Sequence, residues 1–320
     1  FMPNILIAEK DFSPVAKKVL TKAGRVIDYG SKENFLKNLP QADAAVVGLE
    51  IKFNKSLLDK APHLKLIGSR TTQLRYLDLA ECLRRNIKVV NIKAESSVLK
   101  KTFSTAEETM ALIFSVTRCL PWAFESVKKG NWERKKYGGT ELMDKTIGLV
   151  GFGRLGQMVA KYSQAFGMHI LAYDPYISNT TMKSFGVKKT TLEKIFKGSD
   201  IISLHCVYDD KTFGMIREGH FKSMKRTAFL INTARGEITD ESALLKALKN
   251  KWLAGAAIDT LANEAPDGSH LINNPLIVYA KTHENLLILP HLGGATREAT
   301  ERTQIYISEL VANEIKSWKK

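Results

Sequence analysis

Cysteine is scarce in this 320-residue sequence: Cys82, Cys119 and Cys206 are far apart and in no CxxC spacing. An odd, scattered set of this kind argues against a disulfide framework or a zinc site and fits a reducing compartment. Long apolar runs are also missing. None reaches the roughly 18 residues needed to cross a bilayer. The opening FMPNILIAEK passes straight into a strand-like segment without the features of a secretory signal. The expected location is therefore cytoplasmic, with no membrane partner. No internal repeat or low-complexity tract is visible. Acidic residues fall short of basic ones, 33 against 48, for a formal net charge of +15. Yet no long basic block exists, only scattered pairs such as Lys17–Lys18, Lys100–Lys101, Lys135–Lys136 and Lys188–Lys189. A solvated basic surface that helps attract anionic small molecules suits this pattern better than a nucleic-acid interface.

What is present is the composition of a soluble globular protein, 44% hydrophobic and 25% charged, in a chain long enough for two domains. Short β-branched runs alternate with helical stretches throughout, which predicts parallel sheets covered by helices. The first strands are expected at residues 4–8, 25–29, 44–49, 64–68 and 88–91, an order that suits a flavodoxin-like small domain. An amphipathic stretch over 104–129 predicts one long helix joining two domains. Six further strands, at 146–150, 169–173, 201–205, 228–232, 255–259 and 286–289, match a dinucleotide-binding domain. The helical segment 298–318 follows the last strand so closely that it is expected to fold back on the first domain. The expected division is 1–103 plus 297–320 for the smaller domain and 104–296 for the larger.

The strongest local signal is TIGLVGFGRLGQMVAKY, residues 146–162. A strand ends at Val150, then Gly151, Gly153 and Gly156 lead into a helix. The first glycine permits the tight turn, the second lets backbone approach a pyrophosphate, and the third allows close helix–strand packing. The helix N-terminus adds unpaired amides and the positive end of its dipole. GxGxxG alone is weak, and a glycine turn with a capping aspartate would look similar. Its context strengthens it: the next strand, HILAYDP, ends in Asp174, where a carboxylate receives the adenosine ribose hydroxyls and repels a 2′-phosphate. NAD is thus favoured over NADP.

Three later segments carry chemistry: INTARGEITDESAL (231–244), GAAIDTLANEAP (255–266) and ILPHLGGATREA (288–299). In an open parallel sheet all three would end at the carboxyl edge, where ligands bind. Hydride transfer at C2 of a 2-oxo acid needs a cation for the carboxylate and an acid for the forming alkoxide. Arg235 offers the planar fork, and His291 an imidazole, the side-chain type suited to proton exchange. Glu264 could orient that imidazole, and Asp259 could hold a nicotinamide carboxamide. Singly, each has a plain alternative: an exposed arginine, a capping glutamate, a strand-end histidine.

Together these motifs resemble the D-2-hydroxyacid dehydrogenase family, in particular its phosphoglycerate-dehydrogenase-like branch. The likeness runs through most of the chain and is densest from residue 104 to 299. It implies two doubly wound α/β domains, a Rossmann NAD-binding domain and a smaller flavodoxin-like substrate domain completed by the C-terminal helix. It also implies a homodimer joined through the larger domain. With the last residue at Lys320, it leads to the expectation that the regulatory extension of some phosphoglycerate dehydrogenases is absent. On the resemblance, Arg235, Glu264 and His291 are catalytic. Gly151, Gly153, Arg154, Leu155, Gly156, Asp174, His205, Cys206, Thr233, Ala234, Asp259 and Gly294 contact NAD. Arg70, Thr71, Thr72 and Gln73, with Arg235, contact the 2-hydroxy or 2-oxo acid.

Two departures from the family pattern stand out. SRTTQLRYLD (69–78) has Gln73 and Arg75 in place of a usual Gly and Asp, and TAEET (105–109) has Glu108 in place of a usual His. They leave the substrate open. They also keep open a reading from another class, an NAD(H)-binding scaffold or corepressor-like sensor with weak or no turnover.

Overall fold

The computed structural model describes residues 2–74, 76–93, 96–265 and 267–318, so Arg75 lies outside the described residues. The chain divides into two compact units, residues 1–102 with 296–320, and residues 103–295.

The first unit is a five-stranded sheet of β1 (Asn4–Ala8), β2 (Arg25–Ile27), β3 (Ala44–Val47), β4 (Leu66–Ser69) and β5 (Lys88–Asn91). Its order is β2-β1-β3-β4-β5 with every pairing parallel, the flavodoxin-like arrangement. Its central strands are hydrophobic on both faces because helices cover both. Leu6, Ala8, Ala45, Val47 and Ile67 pack on one side. Ile5, Ile7, Ala44, Val46 and Leu66 pack on the other, against Ile307, Val311 and Ile315 of the Arg297–Ser317 helix. The C-terminal helix thus fills a core position of the first unit. Gly68 makes the approach possible: a Cβ there would lie 2.2 Å from Val311 Cγ2.

The second unit holds β6 (Thr146–Val150), β7 (His169–Tyr173), β8 (Lys188–Lys189), β9 (Ile201–Leu204), β10 (Phe229–Asn232), β11 (Gly255–Ile258) and β12 (Leu286–Ile288). They form a parallel sheet in the order β12-β11-β10-β9-β6-β7-β8. Counted from β6 this is the Rossmann order 3-2-1-4-5-6 with a seventh strand added, and it reverses direction between β6 and β9. The two-residue edge strand β8 was not expected from the sequence, since LysLys carries no strand signal.

The single helix expected over 104–129 is two, Ser104–Thr117 and Leu120–Lys128. Pro121 has no N–H to give to the Thr117 carbonyl, which takes Thr140 N–H at 2.8 Å instead, and Cys119 turns the chain at φ +54°. The first of the pair buries Ala106, Met110, Ile113 and Val116 with Leu149, Ile231 and Ala257 of the sheet. All three thiols are unpaired, and no described helix is long and apolar enough to cross a membrane.

Gly68→Val should destabilise the protein by about 1–3 kcal/mol, because the added methyls overpack the seam with Val311. Denaturant unfolding checks this, and an unchanged midpoint would mean the helix does not seat there.

Candidate active site

In open parallel sheets ligands bind beyond the carboxyl ends of the strands where the order reverses, here between β6 and β9, and the glycine turn follows β6 at that edge. Gly151 has φ +95°, and a Cβ on it would fall 2.6 Å from Cys206 N, so the turn lies against the segment that follows β9. Gly156 is equally constrained, with a Cβ landing 2.4 Å from Gly151 O. At Gly153 a Cβ would meet nothing within 4 Å, leaving open space before the Arg154–Ala165 helix, whose first turn has no side-chain cap. A glycine turn, open space and uncapped helix amides suit a pyrophosphate.

Asp174 closes this turn. One carboxylate oxygen accepts Phe152 N–H at 2.8 Å, and the other accepts Tyr176 N–H at 2.8 Å and Ile177 N–H at 3.2 Å. Its charge therefore stays at the end of β7, where the ribose hydroxyls were expected. On the other side of the turn, His205 shares a 2.9 Å hydrogen bond between Nε2 and Ser203 Oγ. Its Nδ1 is shut off from water without a partner among the described residues, and desolvation pushes its pKa down to about 4, so the ring is neutral. Burial pushes the Cys206 thiol up to about 12, which removes it as a nucleophile.

The strands β10, β11 and β12 deliver the other segments at the same edge. Buried Asn232 staples the turn after β10: its Nδ2 donates to Arg235 O at 2.9 Å and its Oδ1 accepts Ala234 N–H at 3.0 Å. Thr233 is held by Thr109 through a 2.9 Å hydroxyl pair. The backbone at Gly236 runs so near the next segment that a Cβ would lie 2.1 Å from Leu261 C. The Arg235 turn and the Glu264 loop are therefore neighbours.

That loop is tied down by carboxylates. Leu261 N–H donates to Glu264 Oε1 at 3.0 Å, Ala262 N–H to Glu241 Oε1 at 2.7 Å, and Asn263 N–H to Glu237 Oε1 at 3.2 Å. With one oxygen so fixed, Glu264 turns the other to His291 Nδ1 at 2.6 Å. The half-buried imidazole is thereby oriented, and Nε2 is left as the nitrogen that can exchange a proton.

His291 has φ +56°, a strained value for histidine, and Asp259 holds it. The Asp259 carbonyl accepts His291 N–H at 2.9 Å, while its carboxylate takes Leu292 N–H at 2.6 Å and Gly293 N–H at 2.9 Å. Successive amides converging on one carboxylate form an anion nest. The side chain expected to hold a carboxamide is thus also the clamp of the histidine turn.

The second unit brings Glu264, His291 and Asp259 together, with Arg235 on the adjoining turn. Gly294 is exposed beside them. Arg70, Thr71, Thr72 and Gln73 belong to the first unit, after β4. There the Arg70 guanidinium is paired with buried Glu9, Nε reaching its two oxygens at 2.9 and 2.8 Å, and Gln304 donates to the same carboxylate at 3.0 Å. Thr71 Oγ1 donates to Gln73 O at 2.8 Å, lacing the loop to itself. Sequence reasoning missed Asn232, Glu237 and Glu241, which act by accepting or donating to backbone, a role no side-chain motif announces. No cluster of metal-binding side chains occurs among the described residues.

Comparison with known proteins fits this geometry. Residues 110–293 match the sequence model of the D-isomer specific 2-hydroxyacid dehydrogenase NAD binding domain. The chain belongs to this family. It is 36% identical over 313 residues to a D-3-phosphoglycerate dehydrogenase of Archaeoglobus fulgidus, covering 97% of this chain and 57% of that protein. A Homo sapiens D-3-phosphoglycerate dehydrogenase is 36% identical over 302 residues, 93% of this chain and 54% of its own length. The chain therefore spans about half the length of these curated relatives. Among solved structures, D-lactate dehydrogenase from Aquifex aeolicus, complexed with NAD and lactic acid, superposes with a TM-score of 0.81 at 28% identity, covering 98% of this chain and 96% of that one.

As a family member the chain carries an NAD-binding domain, and Gly156 packs directly against the backbone of its glycine turn. Gly156→Val should abolish measurable NADH binding by fluorescence titration, because the side chain drives into the Gly151 carbonyl. Binding of wild-type strength in that variant would move the cofactor turn elsewhere.

Proposed function

We propose that the chain is an NAD-dependent dehydrogenase of a small D-2-hydroxy acid, interconverting it with the 2-oxo acid. The observation that carries this reading is the 2.6 Å Glu264–His291 pair, set at the carboxyl edge of an NAD-binding sheet. Bound NAD(H) supplies the hydride acceptor or donor. In the oxidative direction His291 Nε2 takes the hydroxyl proton, the C2–H bond leaves with its electron pair as hydride, and C2–O becomes a carbonyl. In reverse the imidazolium protonates the alkoxide. Glu264 stabilises the imidazolium and fixes its orientation. Arg235 binds the carboxylate and polarises the ketone. Asp174 selects NAD by repelling a 2′-phosphate.

A panel of 2-oxo acids (glyoxylate, hydroxypyruvate, 3-phosphohydroxypyruvate and longer chains) with NADH and NADPH tests the reading, with D and L products separated. His291→Ala should slow turnover by about 100-fold or more while leaving NADH affinity nearly intact. Wild-type turnover in that variant removes His291 from the mechanism. Tight NADH binding without oxidation by any acid would support the scaffold reading instead.

We also infer a homodimer through the larger unit. The Leu120–Lys128 helix exposes Leu120, Phe124 and Val127 along one face, and Trp132 beyond it is 86% exposed. An apolar face of this kind suits a second copy of the chain. Trp132→Glu combined with Phe124→Glu should halve the mass measured by light scattering, and an unaltered mass would place the contact elsewhere.

A further inference from the structure

Glu108 stands in an unusual place for a carboxylate. It lies one turn from Thr105 on the Ser104–Thr117 helix, and the Thr105 hydroxyl donates to Gly293 O at 2.9 Å. Both Glu108 oxygens are shut off from water, and neither receives a hydrogen bond from a neighbouring donor. What faces them is Asp259. A Cβ built on Gly293 would fall 2.7 Å from Glu108 Oε2 and 3.2 Å from Asp259 Oδ2, so the two acids flank one point. Two carboxylates are both acceptors and cannot bond to each other. Only as the acid does Glu108 have an O–H to give, and Asp259 is the acceptor in reach.

We propose that Glu108 is a positioning residue, which as the neutral acid donates its O–H to Asp259 and so allows Asp259 to clamp the His291–Gly293 turn. Loss of that proton to solvent leaves two like charges side by side. Asp259 can relieve the repulsion only by withdrawing from the Leu292 and Gly293 amides, which frees the turn that carries His291. The clamp itself follows from the hydrogen bonds; only its catalytic consequence rests on the proton-carrying role proposed for His291.

The surroundings support a retained proton. Burial, then the charge of Asp259, pushes Glu108 up to about 8, and burial also raises Asp259. The two amides and His291, across the turn, favour the charge on Asp259, which therefore keeps it while Glu108 takes the proton. The strands against this helix, β10 and β11, carry no ionisable side chain. The Arg154–Ala165 helix packed beside it brings Arg154, Lys161 and Tyr162, and Tyr162 responds to Glu107, the next position along.

The sign of the pH effect follows. A carboxyl raised in the folded state contributes stability that is complete below its ordinary value and is lost as pH climbs to about 8. The melting temperature of the cofactor-free protein should therefore fall between about pH 5 and 8 in wild type and fall less in Glu108→Gln, whose amide keeps a donor toward Asp259. Above about pH 8 the NADH affinity of wild type should drop, by up to about tenfold per pH unit for one required proton. In Glu108→Gln it should stay level. Glu108→Leu, with neither charge nor donor, should be equally level but weaker at every pH. Melting and NADH profiles of Glu108→Gln that track wild type through pH 9 would overturn the proposal. The melting series needs neither cofactor nor substrate, so it fails independently of the dehydrogenase reading.

Discussion

The Asp259 carboxylate is the constraint on which the site depends. It sits where β11 ends, almost completely buried, and takes the amides of Leu292 and Gly293, while its carbonyl takes that of His291. A buried charge persists only when donors surround it, and here the donors are successive amides of the next strand's loop. Satisfying the charge therefore fixes the histidine turn. That turn has a positive φ at a non-glycine residue, a conformation that costs energy on its own and persists because three hydrogen bonds define it.

Around this clamp the site is layered by acids. Glu264 orients His291 with one oxygen and its own loop with the other. Glu237 and Glu241 take amides of the same loop. Glu237, Glu241, Glu264 and Asp259 all accept from backbone here, so the placement of the imidazole rests on a network rather than a single contact. Against the basic surface read from composition, this edge concentrates carboxylates, and one of them, Glu264, holds the His291 ring in place.

The topology explains why these segments meet. In a parallel sheet each strand starts at one edge and delivers its following loop at the other. Residues 235, 264 and 291 are distant in sequence, yet the loops after β10, β11 and β12 are next to one another because those strands are neighbours. The glycine turn after β6 opens at the same edge, beside the segment following β9.

Much of this was legible in the chain itself. Strand periods, the glycine spacing before a helix, and Asp174 at the end of the following strand are local patterns, set by backbone sterics and by the two-residue and 3.6-residue repeats. They were enough for two parallel sheets and for the glycine turn between β6 and the Arg154–Ala165 helix. The broken helix was also written locally, in Pro121, but an apolar stripe continuing through it hid the break. What only the folded arrangement decided were the pairings between distant groups: Arg70 neutralised by Glu9, Asp259 turned into a clamp, and Glu108 left facing another acid. Those depend on which side chains burial brings together and on whether a donor lies within reach, and the order of residues along the chain carries neither distance nor solvent.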